Sequence, residues 1–447
     1  MFVGLWAERG AEGNVVHMAK RHSDRAAVSV ISLPVADLRY PSVGAHHPGA
    51  ILLERALQDQ HGLVADGLPD PRPWLNHDAP YRFRPAIGSG VHQLAVGPVH
   101  AGTIEPGHFR FSVNGETIVR LEVRLGYAHK GTLDLMRGAP PDHATRLAGR
   151  ISGDTTVAYA YAFSQAVEMA LGVDVPPRAV ALRGIMAELE RLTNHWGDFG
   201  AICNDAGFPL LNAHAAVLRE RVLRLAQGCF GHRLMMDRIV PGGVSTDLVG
   251  KDAGVLRAAI AEYADRFERL VELYDNTASL QDRVVSTGRL HSALAKRLGC
   301  GGYVGRAAGQ DFDARRAMAY PPYDRLTLGV PSLITGDVDA RVRVRIAEIR
   351  QSCGLILTLL EDMPEGDLSC ELPRNTATSS GNALVEGFRG DIFAHVRLRD
   401  GLVEDAFLRD PSWFLWPALE AAIEGNIVAD FPLCNKSFNA AYSGCDL

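Results

Sequence analysis

Closely spaced cysteines are absent from this chain. Its 447 residues include seven cysteines, and no two of them form a C-x-x-C pair. Structural zinc and iron–sulfur sites usually carry such pairs, and a disulfide framework is not expected in a long chain without a secretory signal. The cysteines are therefore predicted to be scattered reduced thiols of a cytosolic protein: Cys203, Cys229, Cys300, Cys353, Cys370, Cys434 and Cys445.

Long apolar runs and an excess of positive charge are absent as well. No apolar stretch reaches the roughly 18 residues that a membrane-spanning helix needs, so no direct membrane span is predicted. Lys and Arg total 46 against 52 Asp and Glu, a formal net charge of −6, so no nucleic-acid partner is expected. The N-terminus lacks a basic flank followed by a long apolar core, and a secretory signal is not expected.

Hydrophobic periodicity and turn signals divide the chain into three parts. Residues 1–78 combine β-branched runs with a helical pattern at 51–63 and are predicted to form a small α/β domain. Residues 79–95 are rich in Pro, Gly and polar residues and are predicted to be a linker. Residues 96–447 are predicted to form a larger domain that opens with an Asn-Gly hairpin signal at 114–115.

Long helical patterns dominate the larger domain, and a second alternating segment follows them. Helices are predicted over 155–171, 179–199, 211–236, 252–288 and 339–360, and β structure over 383–400. The predicted fold class is therefore α+β: a mainly helical core with small flanking β-sheets, preceded by the small α/β N-terminal domain.

Five segments place polar residues in apolar surroundings, as a functional site requires. They are 97–111 (GPVHAGTIEPGHFRF), 126–136 (GYAHKGTLDLM), 150–168 (RISGDTTVAYAYAFSQAVE), 383–391 (ALVEGFRGD) and the tail at 417–447. Glycines in the first segment let the backbone approach a neighbour closely. The tail is rich in apolar and aromatic residues, so it is predicted to be threaded into the core rather than frayed.

In this order and spacing, the five segments resemble the large subunit of membrane-bound nickel–iron hydrogenases of the formate-hydrogenlyase type. The same family includes the quinone-site 49 kDa-type subunit of respiratory complex I. The resemblance covers about residues 95–447. The segment 52–75 resembles the end of the complex I 30 kDa-type subunit, so residues 1–78 are interpreted as a truncated domain of that kind.

The resemblance implies a subunit of a membrane-associated, complex-I-like oxidoreductase on the cytoplasmic face of the inner membrane. It also implies partners. These would be a complex I 20 kDa-like iron–sulfur small subunit, together with antiporter-like and other membrane subunits that translocate ions.

Family members that make or consume hydrogen hold nickel and iron with four cysteines, two in each of two motifs. The first motif, R-x-C-G-x-C, matches RISGDT here, with Ser152 and Thr155 at the cysteine positions. The second, D-P-C-x-x-C, matches NAAYSG, with Ala441 and Gly444 there. Nickel–iron centres require soft thiolates. The resemblance thus implies a degenerate metal site, no cofactor bound by this chain, and an iron–sulfur cluster in the partner subunit.

Three polar residues of the implied pocket are candidates for catalysis or a proton path. Glu105 matches a family position near the proton route, and Arg389 matches the arginine beside the diatomic ligands of the iron in hydrogenases. Asp154 lies within the first motif. A buried arginine without a partner is costly, so Arg389 is expected to pair with Asp154, Glu105 or another acid. A structural ion pair is the alternative for each.

A quinone-like pocket is implied only in part. His100 matches the first histidine of the complex I quinone-loop motif G-P-x-H-x-x-x-H, but the second histidine position is Ile104. The tyrosine paired with it in complex I falls near Gly153. His100 and Gly153 are candidates for a quinone-binding pocket, while standard quinone reduction is not expected.

One predicted helix, within GIMAELERLTNHWGDFG, carries polar residues three and four apart on shared faces. These residues are Glu188, Glu190, Arg191, Asn194 and His195. They form either a proton path toward membrane subunits or buried salt bridges that orient helices. His129 and Lys130 match a family segment near the small-subunit contact, so an interface role is expected for them.

Three functions of different classes remain open at this point. The chain is a cofactor-free coupling or scaffold subunit of a complex-I-like membrane assembly, or a redox subunit whose emptied pocket binds a quinone or another small acceptor. The third possibility is a hydrogenase with unusual metal ligands. Hydrogenase activity itself is not expected, because all four thiolates are missing.

Overall fold

The computed structural model describes residues 1–10, 13–99, 104–373 and 377–446. About 45% of the chain is helical and 19% lies in the strands of small sheets. The predicted α+β class with a mainly helical core is therefore confirmed. None of the helices in these ranges has the length and apolar character needed to cross a bilayer.

The helices, in chain order, are α1 (Ile51–His61), α2 (Thr132–Met136), α3 (Pro141–Ala148), α4 (Thr156–Leu171), α5 (Pro177–Asp205), α6 (Pro209–Phe230), α7 (Asp252–Asp275), α8 (Ala278–Val284), α9 (Ser292–Leu298), α10 (Gly302–Ala307), α11 (Ala314–Ala317), α12 (Val338–Glu361), α13 (Ser412–Ala422), α14 (Phe431–Phe438) and α15 (Ser443–Asp446).

The strands are β1 (Phe2–Gly10), β2 (Gly13–Arg21), β3 (Val28–Val35), β4 (Arg39–Pro41), β5 (Val64–Asp66), β6 (Val91–Val96), β7 (His108–Asn114), β8 (Thr117–Arg124), β9 (Ile239–Val240), β10 (Gly243–Val244), β11 (Ser379–Glu386), β12 (Asp391–Arg399) and β13 (Leu402–Arg409).

The sheets are small and mostly antiparallel. Three of them are three-stranded meanders with the orders β1-β2-β3, β6-β7-β8 and β11-β12-β13. The short strands β4 and β5 pair in parallel, and β9 pairs with β10. Consecutive strands joined by short turns produce this topology, because an antiparallel pair needs only a hairpin connection.

Helix α5 is the central element of the helical core. Pro177 occupies its first turn, where a missing N–H costs no intrahelical hydrogen bond. Most of its side chains from Ala179 to Cys203 are buried, and the helix packs against α4, α6, α12 and α14. A helix that is buried on nearly all sides must satisfy its polar residues within the protein.

The N-terminal sheet packs against the C-terminal sheet. Trp6 of β1 stacks on Phe407 of β13 with ring centroids 5.0 Å apart, and it also contacts His395 of β12 at 4.9 Å. Gly4 permits this approach, since a Cβ there would lie 3.1 Å from the Phe407 ring. One continuous apolar core therefore joins the N-terminal strands to the remainder of the chain. The boundaries predicted at 78 and 95 stay predictions.

Several predicted elements are present with different limits. The hairpin signal at 114–115 does mark a turn, but Asn114 pairs with Thr117, so the two loop residues are Gly115 and Glu116. The helix predicted over 211–236 ends at Phe230, because Gly231 adopts a left-handed conformation. The helix predicted over 252–288 is interrupted between α7 and α8. Strand β6 starts inside the predicted linker.

We expect Trp6→Ala to lower the free energy of unfolding by about 3–5 kcal/mol, because it empties a large buried site between two sheets. The midpoint of chemical denaturation measures this change. Ile31→Ala on strand β3 of the same sheet is the control, since Ile31 is 52% exposed and its truncation should cost less than about 0.5 kcal/mol. Equal effects of the two variants would contradict the packing described.

Candidate functional site

Three segments that are distant in the sequence meet at one place. The first is the short turn 153–155 before α4, the second is the turn between β11 and β12, and the third is the tail around α14 and α15. Arg389, in the second segment, contacts both of the others. The predicted first and second motif segments are thus brought together by an arginine.

Arg389 donates hydrogen bonds from all three of its guanidinium nitrogens. Nη2 lies 2.6 Å from Asp154 Oδ2, and Nη1 lies 2.8 Å from Asp154 Oδ1 and 3.0 Å from Thr155 Oγ1. Nε donates to the backbone carbonyl of Asn439 in the tail. The paired carboxylate geometry is bidentate, which is the stronger form of this ion pair.

Asp154 is the centre of a hydrogen-bonded group. Its Oδ1 accepts from the hydroxyls of Ser152 and Thr155, each at 2.7 Å. Burial alone would raise the pKa of this carboxyl, but the Arg389 guanidinium and the two hydroxyls outweigh it and hold the pKa below the ordinary value. The side chain of Asp154 is 36% exposed and that of Arg389 only 5%, so the carboxylate lies at the mouth of the site.

The residue beside this mouth is Gly153, which is exposed. A Cβ built on Gly153 would meet no atom within 4 Å. The space directly beside the Gly153 Cα is therefore open. His100, the other candidate for a quinone-like pocket, lies outside the described residues. Ile104, at the second histidine position, is 49% exposed.

The two cysteine positions of the tail, Ala441 and Gly444, are buried. The backbone N–H of Ala441 donates to Ser412 Oγ at 2.8 Å, and its carbonyl accepts from the Trp416 indole at 3.0 Å. At Gly444, an added Cβ would lie 2.6 Å from the Asp410 carboxyl carbon. Asp410 is held there by the Tyr159 hydroxyl at 2.5 Å, so a carboxylate fills the place of a fourth cysteine.

These residues do not fit a nickel–iron centre. Such a centre requires soft thiolates, whereas Ser152 and Thr155 present hydroxyls already bonded to Asp154. Ala441 presents only a methyl group. Across the described ranges, no group of three or more His, Cys, Asp or Glu side chains is placed to hold a metal ion. All seven cysteines lie in these ranges, and none forms a disulfide.

Glu105 contacts the tail, and its described hydrogen bond is not with Arg389. Its Oε2 accepts the backbone N–H of Ser443 at 3.0 Å. His129 bonds through Nδ1 to the carbonyl of Asp446, and Lys130 Nζ donates to the carbonyls of residues 150 and 151, each at 2.9 Å. The segments containing Glu105, His129 and Lys130 therefore secure the tail and the 152–155 turn.

Two polar residues of α5 support the same turn. Asn194 donates to the Asp154 carbonyl at 2.8 Å. Glu190 accepts the backbone N–H groups of Val157 and Ala158 at 2.7 and 3.0 Å. These N–H groups lie in the first turn of α4, where they have no acceptor within the helix. Burial raises the pKa of Glu190 to about 8, although these two hydrogen bonds lower it.

Three further polar residues of α5, Glu188, Arg191 and His195, belong to a group of ionisable side chains in the core. This group, called the core ion cluster below, consists of residues that are at most 1% exposed: Glu188, Arg191, His195, Arg306, Asp313, Arg315, Glu348 and Glu386. The α5 pattern predicts either buried salt bridges or a proton path. The structure shows buried salt bridges at these residues. Arg191 also donates to the carbonyls of Glu386 and Gly387, each at 2.8 Å, and so holds the turn that carries Arg389.

Sequence reasoning misses Asp410, and it misses the contacts of Asn439, the first residue of the second motif segment. Asp410 precedes a proline and an apolar helix, and its Oδ1 accepts the Ser412 N–H at 2.7 Å, so a helix-start signal marks it. Asn439 has a φ of 43°, and its side chain donates to Asp198 at 2.9 Å. Asn tolerates that left-handed conformation better than most residues, but no pattern marks its contacts.

Comparison with known proteins gives matches along most of the chain. Residues 205–389 match the family described as respiratory-chain NADH dehydrogenase, 49 Kd subunit. The chain is 30% identical to formate hydrogenlyase subunit 5 of Escherichia coli (strain K12), over 91% of this chain and 77% of that protein. It is 27% identical to the membrane-bound hydrogenase subunit alpha of Pyrococcus furiosus, over 79% of this chain and 87% of that protein.

A solved structure is similar as well. A chain of the membrane-bound sulfane sulfur reductase, an archaeal respiratory membrane complex, superposes with a TM-score of 0.75 at 26% identity. The match covers 81% of this chain and 100% of that chain. The relatives and this structural neighbour are thus subunits of membrane-bound hydrogenase, complex-I-like or respiratory membrane complexes.

We expect Asp154→Asn to destabilise the protein by about 3 kcal/mol, because it leaves the Arg389 charge buried without its anion. Asp237→Asn is the matched control. Asp237 pairs with Arg150 at 2.7 Å, but these side chains are 35% and 42% exposed, so the loss should stay below about 1 kcal/mol. Thermal or denaturant unfolding of the two variants distinguishes a buried pair from an exposed one.

We expect Gly444→Ala to destabilise the protein by about 1–3 kcal/mol, since its Cβ overlaps the carboxyl group of Asp410 and that group is hydrogen-bonded in place. Gly153→Ala should be tolerated, because its Cβ would point into open space. The comparison is made by unfolding under the same conditions. If both substitutions are tolerated, Asp410 does not occupy the fourth cysteine position.

Proposed function

The chain belongs to the family of membrane-bound hydrogenase large subunits and complex I 49 kDa-type subunits, and from this premise we propose that it works without a nickel–iron centre. Its role is that of a coupling or scaffold subunit in a membrane-associated, complex-I-like oxidoreductase. It binds no cofactor of its own, and the nearest redox centre is an iron–sulfur cluster in a partner subunit.

The observation that carries this proposal is the arrangement around Arg389. Its guanidinium bridges Asp154 in the first motif segment and the Asn439 carbonyl in the second. In hydrogen-metabolising relatives the same two segments supply metal ligands. An ion pair and a backbone hydrogen bond join them here, so the tail is attached to the core without a metal ion.

The proposed partners follow from the family and from the surface near the tail. An iron–sulfur small subunit of the complex I 20 kDa type would contact the segment containing His129 and Lys130. Antiporter-like and other membrane subunits would anchor the assembly at the cytoplasmic face of the inner membrane. The names of the relatives support this assignment, because they include a membrane-bound hydrogenase and a respiratory membrane complex.

A second function is favoured by the open mouth of the site. Gly153 faces free space, and the adjacent Asp154 carboxylate is 36% exposed. A quinone or another small acceptor could approach this mouth and be reduced by the cluster of the partner subunit. In this alternative the chain is a redox subunit, and Arg389 polarises the bound acceptor.

Metal content tests the main proposal. In the assembled complex we expect iron from the partner subunit and no stoichiometric nickel, because no thiolate pair is available to bind it. Elemental analysis per chain measures both. One nickel per chain would overturn the proposal, and so would purification of the chain alone as a stable monomer after native extraction.

Arg389→Lys in the intact complex separates the two functions. Lysine keeps the positive charge but loses the bidentate contact. Loss of quinone-analogue reduction with unchanged subunit composition would favour the redox alternative. Unchanged activity would favour the scaffold role, and the same substitution at Arg343, an exposed arginine on α12, serves as the control.

A further inference from the structure

The core ion cluster contains an unequal number of acids and bases. Its carboxyls are those of Glu188, Asp313, Glu348 and Glu386, and its guanidiniums are those of Arg191, Arg306 and Arg315. A guanidinium stays charged in proteins. With four ionised carboxylates against three arginines, the cluster would carry one uncompensated negative charge. An isolated charge in a dry core is strongly unfavourable.

His195 is the first group that could supply the missing positive charge. Its Nε2 lies 2.8 Å from Glu348 Oε2. Its Nδ1 has no hydrogen-bond partner among the described residues, and the ring lies against Phe388 and Tyr303. A second N–H would be buried without an acceptor, and burial lowers the pKa of His195 despite the neighbouring Glu348. The imidazole is therefore neutral.

Glu348 and Glu188 are well compensated as anions. Glu348 accepts from His195 and from Arg306 Nε, the latter at 2.9 Å. Glu188 accepts from Arg315 at 3.0 Å and from the Tyr323 hydroxyl at 2.6 Å. Burial acts against ionisation, yet these donors hold the pKa of both carboxyls below the ordinary value. Neither carboxyl is a place for the missing proton.

Asp313 is compensated in the same way. Arg315 donates to it twice, from Nη2 at 2.7 Å and from Nε at 3.0 Å. Arg306 Nη1 lies 3.3 Å away. Although burial raises the pKa of Asp313, the two arginines lower it to about 2. Asp313 is thus ionised at neutral pH.

Glu386 differs from the other three carboxyls. It receives one guanidinium contact, from Arg306 Nη1 at 2.9 Å, and that nitrogen also donates to the Phe312 carbonyl. Among the described residues, its second oxygen accepts only the backbone N–H of Ala314, at 2.8 Å. The nearby Asp313 repels a second negative charge.

Arg191 is the other cluster guanidinium whose charge lowers the pKa of Glu386, but its described hydrogen bond to this residue goes to the backbone carbonyl and not to the carboxyl. Asp391 of β12 adds to the repulsion, and the arginine paired with it, Arg409, is already engaged. The hydroxyl of Tyr320 accepts the backbone N–H of Glu386, and its pKa is raised well above the ordinary value by burial. Tyr320 is therefore a neutral neighbour.

We propose that Glu386 is a buried proton-binding site, which holds the one proton needed to neutralise the core ion cluster. Burial first, and then the charge of Asp313, raise the pKa of this carboxyl to about 7. The site therefore binds and releases its proton in the physiological range. The ligand is the proton itself, exchanged with the solvent without any change in oxidation state.

The position of Glu386 connects this proton to the candidate site. Arg191 fixes the carbonyls of Glu386 and Gly387, and Arg389 follows in the same turn. A negative charge arriving near Arg389 would favour protonation of Glu386. Use of the proton in this way rests on the redox alternative for the function, whereas proton binding itself depends only on the balance of charge in the cluster.

Infrared difference spectroscopy of the full-length chain tests the proposal. A protonated carboxylic acid has a carbonyl stretch that shifts in D₂O, and we follow it from about pH 5 to about pH 9, two units either side of neutrality. We expect a band that titrates near pH 7 in the wild type and is missing in Glu386→Gln. Persistence of the band in that folded variant would overturn the proposal.

Asp313→Asn tests whether the charge balance of the cluster is what keeps Glu386 protonated, while Glu386 itself stays unchanged. It leaves three carboxylates against three arginines, so Glu386 should ionise and its band should vanish at pH 7. Glu420 provides the control, because burial also raises its pKa to about 7 and it lies outside the cluster. The band lost in Glu420→Gln should remain in Asp313→Asn. Retention of the Glu386 band in Asp313→Asn would contradict the proposal that the proton on Glu386 neutralises the cluster.

The pH dependence of the free energy of unfolding gives a second measurement. The folded protein keeps a proton on Glu386 between the ordinary pKa of 4.5 and about 7, while the unfolded chain has lost it. The stability contributed by this site therefore falls as the pH rises through that window. Glu386→Gln should remove that part of the pH dependence. A protonated imidazole at His195, detected by nitrogen NMR in the wild type, would overturn the assignment to Glu386.

Discussion

The free-energy cost of burying an arginine governs how the helices and sheets of this chain come together, because a guanidinium keeps its charge and five donors. Arg345 of α12, with no exposed surface, pairs with Asp198 of α5 at 3.2 Å and donates to the Ser437 carbonyl of α14 at 2.8 Å. Arg409 of β13 donates to the Val3 carbonyl of β1 at 2.8 Å. Each such residue holds together segments that are far apart in the sequence, and misplacing any one segment would leave a charge or a donor unpaired.

The same constraint shapes the candidate site. In a relative that binds metal, thiolates would join the two motif segments, and the arginine would lie beside the metal's ligands. Here Arg389 binds the carboxylate of Asp154 and the backbone of Asn439. Asp410 closes the remaining gap at Gly444. Polar contacts therefore keep the pocket region closed, apart from the mouth at Gly153.

Local patterns predict the elements of this fold better than the contacts between them. The Ala-rich run of α4 is found within one residue of its predicted start, since an apolar segment that ends at a glycine has few alternatives. The spacing of Glu188 and Arg191 predicts a shared helix face, and they pair at 3.2 Å. Arg315, which also binds Glu188, lies 127 residues away, and no local pattern reports a pairing over that distance. Strand β6 escapes prediction because it is an edge strand with mostly exposed side chains.

The stacking of Trp6 on Phe407 has a consequence for the order of events during synthesis. The strand that contains Trp6 leaves the ribosome before the C-terminal sheet, and the aromatic surface that covers it is made about 400 residues later. At translation rates of roughly 5–20 residues per second, the N-terminal sheet waits for roughly 20–80 seconds with an uncovered tryptophan. The nascent chain thus exposes an apolar face throughout the production of the helical core. A chaperone that binds nascent chains would find this face available during that time.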